Sequence, residues 1–184
     1  LIHCGDFCRE DEDGASTIRD VDRWFGEQDF RLIVCVGGNH DFALEEVSRR
    51  GESPFRNAHY LVDAGVEFDG LTFYGAPWVP ELRDWAYFEE APEIDRRWAM
   101  IPTDTDVLIT HVPPYGTLDR NSRARHCGCR ALAPRVERIA PRLHCFGHIH
   151  ASSGVLVEPK TTFLNASMVD RTGRVVRAPY VVEL

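Results

Sequence analysis

The sequence predicts an α/β fold built on a mixed β-sheet, and three stretches carry this prediction. Residues 31–36 form a continuous apolar, β-branched run, which is typical of a strand covered on both faces. A polar turn and an amphipathic stretch at residues 43–50 follow it and predict a strand–turn–helix unit. Residues 66–74 alternate about Asp69-Gly70, which is a strong hairpin signal, and the antiparallel strands of a hairpin make the sheet mixed.

The size and charge of the chain limit the kinds of partner that it can have. Its 184 residues suffice for one domain with a sizeable core, and we expect residues 1–184 to form that domain. No apolar run reaches the roughly 18 to 20 residues that a membrane-spanning helix needs, so we expect no membrane. The formal net charge of -8 argues against a surface for extended nucleic acid. We therefore do not expect an extended duplex as the substrate.

The cysteines and the first residues indicate where the protein works and how the chain begins. The six cysteines form no C-x-x-C pair, and Cys35 and Cys145 lie within apolar runs in which a reduced thiol packs as a small hydrophobe. This pattern predicts a reducing, cytoplasmic compartment. The sequence opens without methionine on an apolar stretch at residues 1–4, as if within a strand, so we expect an N-terminally truncated chain.

The first third of the chain predicts a strand end, a loop and a helix. Residues 1–4 indicate the end of a buried strand that leads into Gly5-Asp6, and residues 11–13 form a short acidic loop. Thr17, with Asp20 three residues later, predicts the N-cap of a helix that ends at Gly26. The apolar face of this helix comprises Ile18, Val21, Trp24 and Phe25.

The remaining elements alternate between strands and helices. We expect the aromatic-rich loop at residues 75–88 and the short helix at residues 94–100 to pack in the core rather than form stacking platforms. The helix at residues 130–139 has Pro134 in its first turn or at a kink. The other predicted elements are strands at 107–110 and 143–146, an Arg-rich loop at 115–128, a hairpin of 155–157 with 163–165, and a last strand at 175–183.

Polar residues follow several of these strands directly. They are Asp6, then Asn39, His40 and Asp41, then His111, and finally His148 and His150 beside Gly147, a glycine expected to leave room for both imidazoles. Carboxylate, amide and imidazole groups are ligand types for Mn²⁺, Fe or Zn²⁺, and a carboxylate can bridge two such ions. The set contains no thiolate, which argues against a structural zinc site. The sequence therefore predicts a metal centre at the strand ends.

The order of these motifs resembles that of the calcineurin-like metallophosphoesterases. The resemblance is carried by Gly5-Asp6, Gly38-Asn39-His40-Asp41, His111 and Gly147-His148-x-His150, and it extends over nearly the whole chain. The sequence is most similar to the metallophosphoesterase-domain-containing (MPPED-like) subgroup, with further similarity at residues 3–7, 74–78, 110–114, 128–129, 143–146 and 165–167. This resemblance implies a two-layer mixed β-sandwich flanked by helices, classed as α/β or α+β, with a dinuclear metal centre where the sheet ends converge.

The resemblance also implies a role for each metal ligand. Asp6 would be the bridging carboxylate, Asn39, His111 and His148 would complete one metal site, and His150 would serve the other. The family begins with an Asp-x-His on its first strand, and no Asp-x-His occurs in this sequence. We therefore expect two divalent ions, Mn²⁺, Fe²⁺/Fe³⁺ or Zn²⁺, with one of the two sites incomplete in this chain.

Two residues of the turn would take part in the reaction without binding metal. By the same resemblance, His40 would face the leaving-group oxygen as an acid or hydrogen-bond donor, and Asp41 would hold the other nitrogen of the His40 ring. His3, His59 and His144 are interpreted as structural. His126 and Cys129 are left open, because they either line the substrate mouth or pack the loop.

Two functions from different classes are compatible with these residues. The leading hypothesis is a metal-dependent phosphoesterase in which a metal-bridging hydroxide attacks a small phosphodiester, with a cyclic or other nucleotide as a candidate. A phosphomonoester or a lipid head group is nearly as compatible. The rival is a non-catalytic module that keeps the fold and binds a nucleotide or a metal ion. The sequence leaves open the substrate, the metal and the oligomeric state.

Overall fold

Two β-sheets lie between two layers of helices in the computed structural model, which describes residues 1–8, 13–170 and 172–184. The described helices contain 7 to 13 residues, and none is long and apolar enough to cross a membrane. In chain order the elements are β1 Ile2–His3, α1 Gly14–Gly26, β2 Val34–Cys35, α2 Phe42–Arg49, β3 His59–Tyr60, β4 Ala64–Phe68, β5 Leu71–Ala76, α3 Glu93–Ala99, β6 Val107–Thr110, α4 Leu132–Ile139, β7 Leu143–Phe146, a 3₁₀ turn His150–Ser152, β8 Gly154–Val157 and β9 Thr162–Asn165.

The two sheets differ in size and in strand direction. The small sheet has the order β1-β2-β3, and its three strands are parallel. The large sheet has the order β4-β5-β6-β7-β9-β8, with four central parallel strands and an antiparallel strand at each edge. The prediction of a mixed sheet, and of two sheets flanked by helices, is therefore confirmed.

The alternation of side chains along the strands creates three buried clusters. Val34 and Val36 pack with Val107 and Ile109 between the two sheets. The intervening Cys35 faces the opposite way, toward the helices that cover the small sheet, where it packs with Phe25 of α1 and Leu44 of α2. On the outer face of the large sheet, Leu108 and Phe146 pack with Trp98 of α3 and with Leu132 and Val136 of α4. Because successive strand residues point to opposite faces, each central strand contributes to two of these layers.

Both predicted hairpins are confirmed. Strands β4 and β5 pair antiparallel from Phe68–Leu71 outward, and Asp69 and Gly70 occupy the turn with φ values of 49° and 76°. Two central residues with positive φ are typical of the tight turn that matches the twist of the strands. Strands β8 and β9 form the second hairpin.

The structure corrects the start of the first helix. Helix α1 begins at Gly14, and the Asp13 carboxylate accepts a hydrogen bond from the Ala15 N–H at 3.1 Å. Asp13 is therefore the N-cap, and Thr17 lies inside the helix, where its hydroxyl donates to the Asp13 backbone oxygen. The predicted acidic loop at residues 11–13 falls largely outside the described residues, which resume at Asp13. Trp24, predicted on the apolar face, is 45% exposed.

The predicted last strand at residues 175–183 is wrong. Beyond β9, the described residues contain only an isolated bridge between Val169 and Val175. Pro179 interrupts this apolar run and removes a backbone donor that a sheet ladder needs. The side chains of Tyr180 and Val182 still pack against the cluster between the sheets, so the segment covers the core without joining a sheet. The strand predicted at residues 31–36 is also shorter, because only Val34 and Cys35 are paired along it.

Candidate metal centre

Four of the predicted site residues follow strands at one end of the two sheets. Asp6 and Asn39 follow strands β1 and β2 of the small sheet, and His111 and His148 follow strands β6 and β7 of the large sheet. One ligand atom each from Asp6, His111 and His148 lies within 4.8 Å of the other two. Parallel strands end at the same edge, which explains how residues so far apart in sequence meet.

Asn39 lies at the centre of this group. Its Oδ1 atom is 2.9 Å from Nε2 of His111 and 2.8 Å from Nδ1 of His148. The two imidazole rings are 4.9 Å apart at an angle of 65°. Asn39 and His111 are buried, so few waters can share these contacts. The structure thus brings together the four residues that the sequence assigned to one metal site.

The contacts of His111 show that potential ligand atoms converge here. Its Nδ1 lies 2.7 Å from the backbone oxygen of Cys4, which can only accept, so Nδ1 carries a proton and donates. Its Nε2 lies 2.9 Å from Asn39 Oδ1 and 3.4 Å from Asp6 Oδ1, two oxygens that accept hydrogen bonds. Either a proton on Nε2 or a cation bound in its place satisfies these electron-rich atoms. The donor set therefore fits a divalent cation of the Mn²⁺, Fe or Zn²⁺ type.

The charge states of the ligands also suit a cation. Burial favours the neutral form of Asp6, but the charge of His111 and the backbone N–H of His40, which donates to Asp6 Oδ1 at 3.1 Å, together lower the pKa of Asp6. Burial, and after it the charge of His111, lowers the pKa of His148 to about 3. A carboxylate that stays ionised and an imidazole that stays neutral are the forms that bind metal.

The backbone around the ligands adopts conformations that few residues tolerate. Asp6 and His148 have φ values of 62° and 66°, in the left-handed region that non-glycine residues seldom occupy. A Cβ atom on Gly38 would lie 2.3 Å from Asp6 Oδ1 and 2.6 Å from Cε1 of His111. On Gly147 the nearest atom would be 3.6 Å away, an ordinary contact. The spatial requirement for glycine therefore falls on Gly38, and not on Gly147 as the sequence suggested.

Asp41 organises the backbone beneath the site. Its two carboxylate oxygens accept hydrogen bonds from the N–H groups of Asp6, Phe7, Cys8 and Gly38, at distances from 2.7 to 2.9 Å. Burial first, and then the charge of Asp6, raises the pKa of Asp41 to about 6, although the N–H groups of Cys8 and Gly38 act in the opposite direction. This role was not predicted from the sequence. The contact of Asp41 with the ring of His40 stays a prediction.

His40 and His150 lie at the edge of this group. The His40 ring lies edge-on to Trp85, with ring centres 4.6 Å apart, and its charge is among those that shift the pKa of Asp6 and of His148. His150 opens the 3₁₀ turn and is also among the charges that act on His148. Neither residue belongs to the compact group of Asp6, His111 and His148.

The residues that the sequence left open have structural contacts. Nδ1 of His126 lies 2.6 Å from the buried Asp119, whose carboxylate also accepts the N–H groups of Gly116 and Gly128. Cys129 is buried and accepts a hydrogen bond from the indole N–H of Trp98 at 3.3 Å. Cys129 thus serves packing of the loop. Asp119, which the sequence analysis did not single out, joins the two ends of the loop by its hydrogen bonds to Gly116 and Gly128 and also contacts His126.

Comparisons with known proteins agree with this fold and site. Residues 1–152 match the model of a family described as calcineurin-like phosphoesterase. The chain is 35% identical to a UPF0046 protein of Caenorhabditis elegans over 98% of this chain and 66% of that protein. It is 31% identical to metallophosphoesterase domain-containing protein 1 of Homo sapiens over 100% of this chain and 64% of that protein. A crystal structure with 18% identity has a TM-score of 0.62, covering 84% of this chain and 64% of that chain, and supports the fold.

The two facing sheets and the family match together give the chain the metallophosphoesterase fold, with Asp, Asn and His side chains at the strand ends. The chain belongs to the calcineurin-like phosphoesterase family, in which a metal-dependent site acts on phosphoester bonds. It spans less than two thirds of the length of the nematode and human relatives described above, at 66% and 64%.

Proposed function

We propose that this chain carries the site of a phosphoesterase that hydrolyses a small phosphodiester, with a cyclic or other nucleotide as the candidate class. The complete site would use two divalent cations, one of them at the position that is incomplete in this chain. The observation that supports the proposal is the convergence of potential ligand atoms from Asp6, Asn39, His111 and His148 at one end of the sheets. The six cysteines are free thiols in the structure, which supports the further proposal of a reducing, cytoplasmic compartment.

The proposed ligand roles follow the family resemblance. Asp6, Asn39, His111 and His148 would hold one cation, and Asp6 with His150 would contribute to the second. When bound, the cations would act as Lewis acids on the phosphoryl oxygens and would acidify a water at neutral pH. The Cys4 carbonyl fixes the tautomer of His111 so that its Nε2 is available as a ligand.

His40 would hold a proton at the leaving-group oxygen. Its backbone N–H donates to Asp6 Oδ1, which holds the main chain of His40 beside the candidate ligands, and its ring contacts Trp85. Asp41 holds the two backbone segments together, because its carboxylate binds the N–H groups of both the turn at Gly38 and the segment at Asp6. An acid positioned in this way protonates the leaving alkoxide as its bond to phosphorus breaks.

A non-catalytic binding module is the second candidate. The observation in its favour is that, over residues 1–8, 13–170 and 172–184, a single group of His, Cys, Asp and Glu ligand atoms gathers within 4.8 Å. One cation held by such a group could bind a phosphate without turnover. Turnover therefore has to be measured separately from metal binding.

The test combines Mn²⁺ titration calorimetry with hydrolysis of bis(4-nitrophenyl) phosphate. We expect His40→Ala to retain Mn²⁺ binding but to lower turnover by about 100-fold, because it removes an acid and not a ligand. His59→Ala, on the exposed strand β3, is the matched control and should keep both properties. Binding of Mn²⁺ without turnover in the unmodified chain would favour the binding module. Loss of Mn²⁺ binding in His40→Ala would make His40 a ligand.

A further inference from the structure

Two aromatic side chains lie in sequence beside the ring of His40, and we call them the aromatic shelf: Trp85, which contacts His40, and Phe42, which contacts Trp85. Phe42 is the first residue of α2 and is 47% exposed. Trp85 is half-buried, whereas Trp78 and Tyr87 of the same loop are buried in the core. The sequence analysis expected this loop to serve core packing. Exposure of the shelf shows that these two rings are placed differently from their neighbours.

The shelf is fixed to the loop that carries the metal ligand Asn39. The N–H of Ala86 donates to the Asn39 backbone oxygen at 3.1 Å, and the N–H of Tyr87 donates to the Glu45 carboxylate of α2 at 3.1 Å. The N–H of Trp85 itself donates to the Leu82 oxygen at 3.0 Å. These hydrogen bonds therefore hold the backbone at Trp85 against the turn that carries Asn39 and against α2.

The shelf begins at the residue assigned to the leaving group. The ring of His40 meets the ring of Trp85 edge-on at 4.6 Å and 72°. The centre of the Phe42 ring lies 6.3 Å from the centre of the Trp85 ring, and the two ring planes are inclined by 26°. A group attached to the oxygen that His40 protonates would thus lie against these rings.

We propose that the shelf binds a planar aromatic ring on the leaving group of the substrate, which makes Trp85 a specificity-determining residue. This inference rests on the proposed function, because it uses the role of His40 at the leaving oxygen. Indole and phenyl faces bind flat rings by stacking, whereas a short alkyl group gains little there. The expected substrates are therefore phosphodiesters that release an aryl or a base-bearing alcohol.

The test uses two non-hydrolysable ligands, phenylphosphonate and methylphosphonate, titrated into the Mn²⁺-loaded protein by calorimetry. We expect phenylphosphonate to bind about tenfold more tightly, the size of a single stacking contact. Trp85→Ala should remove most of this preference. Trp85→Phe should keep part of it, while Trp85→Leu, which is apolar but cannot stack, should not. Trp24→Ala, at an exposed tryptophan of α1, is the matched control and should keep the full preference.

The outcomes separate the shelf from the proposed function. Equal affinities for the two phosphonates in the unmodified protein would overturn the shelf and leave the phosphoesterase proposal standing. A preference that survives in both Trp85→Ala and Trp85→Leu would also overturn it, and the leucine variant decides the matter if the alanine variant fails to fold. Binding of neither phosphonate to the Mn²⁺-loaded protein would overturn the shelf and the proposed function together.

Discussion

The candidate ligand residues depend on neighbours that are not candidate ligands themselves. The Cys4 carbonyl fixes the proton of His111, and the absence of a side chain on Gly38 leaves space for Asp6 and for the His111 ring. Both are backbone features, and a residue type alone does not reveal where a carbonyl points. The sequence could therefore identify Asp6, Asn39, His111 and His148 as a group, but it could not identify what holds them in place.

Gly38→Ala should abolish tight Mn²⁺ binding. The added Cβ would lie 2.3 Å from Asp6 Oδ1, and the nearby backbone of Asp6 leaves no room for it to move. Gly147→Ala is the matched control, since its nearest contact would be 3.6 Å. Calorimetric titration with Mn²⁺ measures both, and circular dichroism checks that the variants fold. Equal Mn²⁺ affinity in the two variants would mean that the Gly38 backbone shifts without moving the ligands.

The hairpin of β4 and β5 is an element whose turn sequence alone determined its position. Asp69 and Gly70 both have positive φ, and no atom lies within 4 Å of a Cβ built on Gly70. A substitution of Gly70 therefore tests backbone conformation without a steric contribution. This turn precedes Leu71, at one end of β5. Ala76, at the other end of β5, pairs with Thr110, the residue before the candidate ligand His111.

Gly70→Val should lower the free energy of unfolding by about 1 to 2 kcal/mol, because a β-branched residue is strained at positive φ. Gly70→Asn should cost less, since asparagine tolerates this conformation. Urea unfolding gives both values, and Mn²⁺ affinity should stay at the level of the unmodified protein in each variant. If valine and asparagine cost the same, the turn does not keep its positive φ in solution.

Elements whose limits depend on tertiary contacts were predicted less well. The caps Asp13 and Thr17 both suit a helix start, and the structure selects the earlier one. Residues 175–183 have an apolar pattern typical of a strand, yet Pro179 interrupts them and only part of the segment packs on the core. Local pattern is sufficient where a turn type or a continuous core strand decides the structure, as in the two hairpins. Local pattern is insufficient where contacts with the rest of the fold decide at which residue a helix begins or whether an apolar segment joins a sheet.

At the scale of the whole molecule, a buried histidine makes stability depend on pH. Burial lowers the pKa of His144 to about 3, well below its ordinary value of 6.5. Its Nε2 contacts the Thr110 hydroxyl at 2.9 Å, and its Nδ1 has no hydrogen-bond partner among the described residues. Between pH 6.5 and about 3 the unfolded chain therefore binds a proton at His144 that the folded chain does not bind. Lowering the pH from 6.5 toward 3 therefore lowers the free energy of unfolding.

We expect His144 to contribute a loss of about 1.6 kcal/mol between pH 6.5 and pH 5, since each pH unit is worth about 1.4 kcal/mol once the unfolded histidine is fully protonated and about half of that at pH 6.5. His144→Gln should reduce the pH dependence by this amount, because glutamine does not titrate. Urea unfolding at several pH values, in the presence of a chelator, measures the effect without competition from metal binding at His148. An unchanged slope in the variant would show that His144 is protonated within the folded protein.

The division of the ligands between the two sheets has a consequence for the unfolded chain. Asp6 and Asn39 follow strands of the small sheet and His111 and His148 follow strands of the large sheet, so the candidate ligand set is complete only when both sheets have docked. A cation that binds there binds the native state alone, and by mass action it opposes unfolding. Above the dissociation constant, each tenfold rise in free cation adds about 1.4 kcal/mol to the free energy of unfolding. The free cation concentration around the protein would therefore determine the fraction of the chain that is unfolded, and with it the exposure of the chain to proteolysis.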